Sequence, residues 1–366
     1  MGSSRWSGRL GLLIGGLLLG GAAAEFGVRM LRPDDAADIL YSAPDNAPDG
    51  LYITDTELFS VPNPGFSGPQ RSLGYQVQLR INPNGLRGGP VSEVRPMWLV
   101  AGDSFTMAAQ VSEEETFSDL LSQRSGGQFL NAGVDGYGTW QALRRYERLD
   151  EALDVDGLVL VFFAGNALAV NARWPMVKAD AAQLTPGEPI WRPEQSALHR
   201  WLYPRSVLYA RLQMLMRSQD LTRSESPERG RWASELKPFT RSGEPVLKGL
   251  LDKTAPALQA IQASVRARGD RLLVAVAPPA FQIESSRRSA TFSLVGLDPS
   301  DAAADQVSDG VMALLGQLNI PSCSLVEPLR SAHESGTRAY LAYDGHWSPA
   351  GHQVVAEAIS ECIASH

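Results

Sequence analysis

Cysteine is nearly missing from this chain: Cys323 and Cys362 are the only two in 366 residues. Two cysteines alone make no zinc site. One lies in an apolar run near the end and the other in the last helical segment, so a disulfide suited to an oxidising compartment and two unlinked core thiols both stay open. A basic excess is missing too. Lys and Arg number 33 against 40 Asp and Glu, a net charge of −7 with the signs interspersed, which sets nucleic acid aside as a partner. No self-similarity recurs at periods of about 20–50 residues, which argues against a solenoid or propeller.

A long uncharged apolar run opens the chain. Arg5 and Arg9 precede LGLLIGGLLLGGAAA, Leu10 to Ala24, and Glu25 follows. A basic start, an apolar stretch and small residues at its end make an export signal. A spanning helix wants about 20 apolar residues, and this run reaches that only if Phe26, Val28 and Met30 are counted beyond Glu25. Residues 1–33 are therefore expected to be a cleaved signal or an uncleaved membrane anchor. Either one places the rest in the periplasm or outside the cell, with the membrane as a partner in the anchored case. A buried core helix is the plain alternative.

What is present in quantity is core material, 44% hydrophobic residues, enough for one large domain or two ordinary ones. Pro33 to Pro69 is rich in Pro, Gly, Asp and Asn and reads as linker and loops. GYQVQLRIN, Gly74 to Asn82, alternates like a strand and leads into PNGLRGGP, where Asn84 and Gly85 make a turn. Residues 34–95 thus form a linker and N-terminal extension.

From Met97 apolar runs alternate with amphipathic segments. MWLVAGD, FLNAG, GLVLVFFAGN, RLLVAVAPP and IPSCSLVEPL are five expected strands, and PAGHQVVAEAISECI is a closing helix. That alternation predicts an α/β fold with three α/β/α layers and a five-stranded parallel sheet over residues 96–366. A mostly helical insertion interrupts it at about 170–246. Its Trp174, Trp191, Trp201 and Trp232 serve either a ligand cleft or a core, and the insertion as a whole suits a cap.

Open parallel sheets bind ligands beyond the carboxyl ends of their strands. After the first expected strand stand Gly102, Asp103 and Ser104; after the second, NAGVDGYGT with Gly133, Gly136 and Gly138; after the third, Gly165 and Asn166. Ser104 alone is a helix cap or a nucleophile. With its own amide, a Gly136 amide and the Asn166 side chain as donors, an oxyanion can be held. His346 sits two residues after Asp344, in a loop fixed by Ser348 as N-cap and Pro349 as first helical residue. A carboxylate on one imidazole nitrogen leaves the other to face a serine. His352, six residues on, reads as structural.

GDSFT, NAGVDGYG, AGN and DGHWSPAGH occur in this order, and the set resembles the SGNH/GDSL hydrolases from about Val94 onward. PNGLRG resembles the lead-in of bacterial membrane-anchored members. The resemblance implies a flavodoxin-like three-layer fold, Ser104 as nucleophile, Gly136 and Asn166 as oxyanion donors with the Ser104 amide, His346 as general base and Asp344 as its partner. It implies no metal and no organic cofactor. Ala167 replaces the Asp that commonly follows the Asn. Asp344 and His346 are two apart rather than three, and DGHW is similar to the Asp-Thr-His-Trp element of the alginate acetyltransferase-like branch, where that element precedes the serine. The order here favours the hydrolase layout. The expectation is an exported serine esterase acting on small acyl esters, acetyl first, of small molecules, glycans or envelope polymers. Acetyl transfer to a polysaccharide and a non-catalytic envelope role are the alternatives.

Overall fold

In the computed structural model, residues 3–30, 48–191 and 196–365 are described. Residues 1–2 and 31–33 of the expected signal or anchor, 34–47 of the expected linker, 192–195 of the insertion, and His366 lie outside them. The chain opens with helix α1, Ser3–Met30. Two antiparallel hairpins follow, β1 (Tyr52–Asp55) with β2 (Phe59–Pro62) and β3 (Ser67–Ser72) with β4 (Tyr75–Arg80). The main domain runs β5 (Met97–Ala101), α2 (Ser104–Met107), α3 (Phe117–Ser125), β6 (Gln128–Asn131), α4 (Thr139–Leu153), β7 (Gly157–Phe163) and α5 (Ala167–Ala181). The insertion adds α6 (Ala197–Leu202), α7 (Val207–Leu221) and α8 (Pro227–Leu236). The domain then resumes with α9 (Glu244–Arg268), β8 (Arg271–Ala277), α10 (Ala280–Ile283), α11 (Ser285–Leu294), α12 (Gln306–Gln317), β9 (Ser322–Ser324), α13 (Val326–Glu334) and α14 (Pro349–Ser365).

The five strands β5 to β9 pair parallel throughout, in the order β6-β5-β7-β8-β9. That is the 2-1-3-4-5 order of a doubly wound sheet. Alternate residues of each strand enter opposite cores, which is why the strands read as unbroken apolar runs. Leu99, Leu158, Leu160, Phe162 and Val274 join one cluster with Leu143 of α4 and Leu258 and Ile261 of α9. Trp98, Val100, Val159, Val161 and Ala275 join the other with Phe117 of α3 and Val355 and Ile359 of α14.

Two expectations need correction. Pro33 to Pro69 is not all linker, because its described part forms β1, β2 and the start of β3; short two-stranded ribbons rich in turn residues carry too little alternation to stand out. IPSCSLVEPL is a strand only over Ser322–Ser324, since Val326 already starts α13.

The C-terminal part of α1 docks on the insertion. Glu25 accepts from Ser206 Oγ at 2.8 Å and from the amides of Val207 and Leu208 at 2.9 and 3.0 Å, closing the N-terminus of α7. Leu12, Leu13, Leu17 and Leu19 of α1 are exposed. Among the described residues no helix is long and apolar enough to cross a membrane.

Arg87 of the PNGLRG segment is buried, with no carboxylate paired to it among the described residues, and its guanidinium donates to the carbonyls of Met107, Ala108 and Val111. It thereby closes the C-terminal end of α2, where Ala108 turns the chain at φ 53°. Burial pulls the Arg87 pKa down to about 10, leaving it charged at neutral pH. Arg87→Met keeps the stem and strips the donors, so those buried carbonyls lose their partners. With unsatisfied buried groups at about 1–3 kcal/mol each, a loss of roughly 3 kcal/mol is expected, seen as a lower urea midpoint at constant slope. An unchanged midpoint would show that the carbonyls find other donors.

Candidate active site

The first strand of the sheet ends at Ala101, and Gly102 lets the chain pass close to its neighbours: a Cβ there would stand 2.2 Å from Thr106 Oγ1 and 2.7 Å from Val161 O. Asp103 then caps α2, its Oδ1 accepting from the Phe105 amide at 3.0 Å. The capping reading of Ser104 is thereby corrected. An aspartate is at least as good an N-cap as a serine, and with Asp103 in that place Ser104 becomes the first helical residue, its hydroxyl free for another partner.

That partner is His346. Its Nε2 lies 2.7 Å from Ser104 Oγ, and its Nδ1 lies 2.5 Å from Asp344 Oδ1. The same carboxylate oxygen accepts from the His346 amide at 2.9 Å, which is how a spacing of two residues suffices for the pair. A carboxylate only accepts, so Nδ1 carries the proton that it donates, and Nε2 of the neutral ring accepts from the serine hydroxyl. The loop has firm supports. Trp347 is fully buried, with its ring centroid 4.9 Å from that of Phe105 and 5.9 Å from that of Phe117, each edge-on. Ser348 Oγ accepts from the Gly351 amide at 3.1 Å and so caps α14.

Charge around the imidazole is one-sided. Burial works against the imidazolium, but Asp344, with Asp103 and Asp135 farther off, outweighs it and moves the His346 pKa up to about 9. Burial by itself would raise Asp344; the His346 charge and the hydrogen bonds from His346 and Tyr75 override it and hold the carboxyl below its usual range. Burial does prevail at Asp103 and pushes it up to about 6. Its Oδ2 has no hydrogen-bond partner, and neither has Asn166 Oδ1. The Asn166 amide lies near enough to Asp103 to favour its charged form, without hydrogen-bond geometry.

Gly136 and Asn166 follow β6 and β7, the two strands that flank β5, so both stand at the same sheet edge as Ser104. Gly136 is exposed, at φ 76° with open space where a Cβ would be. Asn166 is the residue before α5 and lines a cavity of about 310 Å³ roofed by Arg231, Ser234 and Glu235 of α8. That gives the insertion the covering position expected of a cap. Its tryptophans divide: Trp191 and Trp201 are exposed, Trp174 stacks on Trp140 with centroids 6.5 Å apart, and Trp232 packs partly against the core.

His352 is buried, accepts from the Phe117 amide at 3.3 Å and stacks on the Phe117 ring. Burial first, then the charge of Arg87, lowers its pKa to about 3, so it stays neutral and structural. Cys323 and Cys362 are free thiols packed against the same core cluster. Among the described residues no group of three His, Cys, Asp or Glu side chains is placed to hold a metal.

Sequence reading missed two residues at this site. Tyr75 of β4 donates to Asp344 Oδ2 at 3.4 Å, and its position in an alternating strand gave no hint of a distant partner. Arg87 was passed over inside a turn, although a lone basic residue between glycines was a signal that its charge is used.

Residues 241–366 match the family described as SGNH hydrolase-like domain, acetyltransferase AlgX. The matched part contains Asp344 and His346 and stops short of Ser104. No curated protein matches the chain. Among solved structures, a member of the lipolytic protein G-D-S-L family from Veillonella parvula is 12% identical, with 74% of this chain and 99% of that one covered and a TM-score of 0.40. Axe2, an acetylxylan esterase from Geobacillus stearothermophilus, is 13% identical with 74% and 94% covered and a TM-score of 0.39. TesA is 13% identical with 74% and 98% covered and a TM-score of 0.38. The resemblance carried by the four motifs thus has an independent counterpart in the C-terminal third, where residues 241–366 are similar to the AlgX-type SGNH hydrolase-like domain.

Proposed function

We propose that the protein is an exported serine esterase that removes small acyl groups, acetyl foremost, from glycans or cell-envelope polymers. The observation that carries this reading is the hydrogen-bond chain from Asp344 through His346 to Ser104 Oγ. His346 takes the hydroxyl proton as Ser104 attacks the ester carbonyl, and the alcohol leaves with a proton from His346. Water, deprotonated in turn by His346, then frees the acid from the acyl-enzyme. The amides of Ser104 and Gly136 and the side chain of Asn166 are the donors for the oxyanion, each worth on the order of 3 kcal/mol in such sites. Export rests on residues 1–33, whose basic start and apolar run together with the exposed leucines of α1 suit a signal or an anchor.

A second reading replaces water by a polysaccharide hydroxyl. The match of residues 241–366 to an acetyltransferase family favours it. Incubation with a chromogenic acetyl ester and an oligosaccharide acceptor separates the two: free acetate is the expected product, and acetylated oligosaccharide with little acetate would establish transfer.

Ser104→Ala and His346→Ala are each expected to lower turnover of 4-nitrophenyl acetate by at least roughly 1,000-fold, and Ser104→Ala to abolish labelling by a fluorophosphonate. Persistent labelling, or none in the parent protein, would remove Ser104 as nucleophile and leave a binding role. The raised His346 pKa sets the pH profile. A base must be neutral, and an imidazole held up to about 9 is mostly protonated at pH 7. Thus log kcat/KM for 4-nitrophenyl acetate should climb with unit slope through pH 7 and 8 and level off near 9. A plateau reached by pH 7 would show that the carboxylates do not hold the proton in the working enzyme.

A further inference from the structure

Cys323 is the middle residue of β9, the strand at one edge of the sheet, and pairs in register with Ala275 of β8. Neighbours in register point to the same face of a sheet, and Ala275 faces the cluster that contains Val355 and Ile359 of α14. Cys362 follows Ile359 by three positions and Val355 by seven, so it lies on the same stripe of that helix. The two thiols accordingly meet at the border of one core cluster, against which both pack half-buried. They are hydrogen-bonded to each other. Arg271 at the start of β8 donates to Ile363 O at 3.3 Å and fixes the last turn of α14 over the sheet.

A cysteine in a core is ordinarily a small hydrophobe. Here the only two in the chain, far apart in sequence, stand against each other. Among the described residues no group of His, Cys, Asp or Glu is placed to recruit them to a metal. The hydrogen bond from Cys323 favours a thiolate on Cys362 and lowers its pKa, against the opposing pull of burial and of the Glu361 carboxylate. A thiolate beside a second thiol is the arrangement from which exchange with a disulfide proceeds. The sulfurs have only to close from hydrogen-bond contact to a bonding distance of about 2 Å. They sit on a three-residue edge strand and on the last turn of a helix, segments that shift at little cost.

We infer that Cys323 and Cys362 form a disulfide in the exported protein, tethering both ends of the 40-residue segment that carries Asp344 and His346. The Cys362 thiolate attacks one sulfur of a disulfide oxidant, glutathione disulfide or an oxidised protein dithiol, and one thiol leaves. Cys323 gives up its proton and attacks the Cys362 sulfur of the mixed disulfide, and the second thiol leaves. The protein thiols lose two electrons, the oxidant's disulfide gains them, and both protons end on the released thiols. Supply of the oxidant rests on the reading of the chain as exported; the pairing itself does not. From Pro349 to Cys362 the helix α14 runs roughly 20 Å, which keeps the cross-link away from the reacting atoms. Its effect is therefore on stability, through the loop it closes in the unfolded chain.

Alkylation and melting of the full chain test it. Protein that is reduced and then equilibrated with equal amounts of oxidised and reduced glutathione is expected to lose both alkylatable thiols. Non-reducing proteolysis should then yield one peptide pair joined through Cys323 and Cys362. Reducing that protein should lower its Tm by at least about 5 °C and change kcat/KM for 4-nitrophenyl acetate by less than about two-fold. Cys323→Ser and Cys362→Ser should each melt like the reduced protein and no longer respond to reductant. Thiols that stay alkylatable in the glutathione buffer, a stable glutathione adduct on either cysteine, or a cross-link between two chains would overturn the pairing. A Tm indifferent to reduction would overturn the tether. Alkylation in intact cells separates pairing from export: a cystine found there supports both, whereas thiols free in the cell that close in the buffer support the pairing and count against export.

Discussion

The contact between His346 Nε2 and Ser104 Oγ joins residues 242 positions apart, and the rest of the fold can be read as what holds these two atoms at 2.7 Å. Ser104 is fixed from one side by strand β5 in the centre of a three-layer core and by the Asp103 cap at the start of α2. His346 is fixed from the other by the buried Trp347 and the capped start of α14. The two supports share one cluster, since Phe105 follows Ser104 and packs against both His346 and Trp347. A displacement of either element is thus resisted by the same aromatic contacts. That is the preorganisation the proposed acyl-transfer chemistry needs.

The N-terminal extension takes part in this. Its two hairpins each reach a different part of the site, β4 through Tyr75 to Asp344 and β1–β2 through Ser60 and Leu58 to the loop of Gly136. Arg87, just after them, holds the far end of α2. Without the extension the sheet still has its core, but Asp344 loses a donor, the Gly136 loop loses its brace, and three carbonyls at the end of α2 lose theirs. Residues 48–95 are therefore a working part of the site.

How much of this was legible in the sequence follows from the range of the interactions. The strands of the sheet were readable because burial on both faces writes itself as continuous apolar residues, and the Ser348 cap because caps are local. That Ser104, Asp344 and His346 come together was expected from their motifs, and the two-residue spacing of the last two is explained by one carboxylate oxygen serving both the amide and the ring. β1 to β3 were not readable, since strands of four to six residues set among prolines and glycines bury too few side chains to make a pattern. Asp103 as the cap escaped because Ser104 beside it is an equally good local candidate, whereas Tyr75 and Arg87 escaped for a common reason. Each is a polar residue whose partner is chosen by tertiary structure, and nothing in its own neighbourhood distinguishes it from a surface residue.

The charges that orient His346 also set a conflict between folding and chemistry. A histidine whose folded pKa is raised from 6.5 to about 9 adds stability that is fully present below pH 6.5 and is lost as the pH climbs through about 9. In the proposed reaction His346 is useful over the opposite range, since only the neutral ring can accept the serine proton. Asp344 contributes with the other sign: its lowered pKa gives stability above the ordinary carboxylate range that disappears in acid. The pair is thus most secure between those limits, where His346 is still cationic and Nε2 is a donor to Ser104. The proposed reaction calls for the less stable protonation state, and the aromatic packing around Trp347, which carries no charge and is indifferent to pH, is what keeps the loop in place when that state forms.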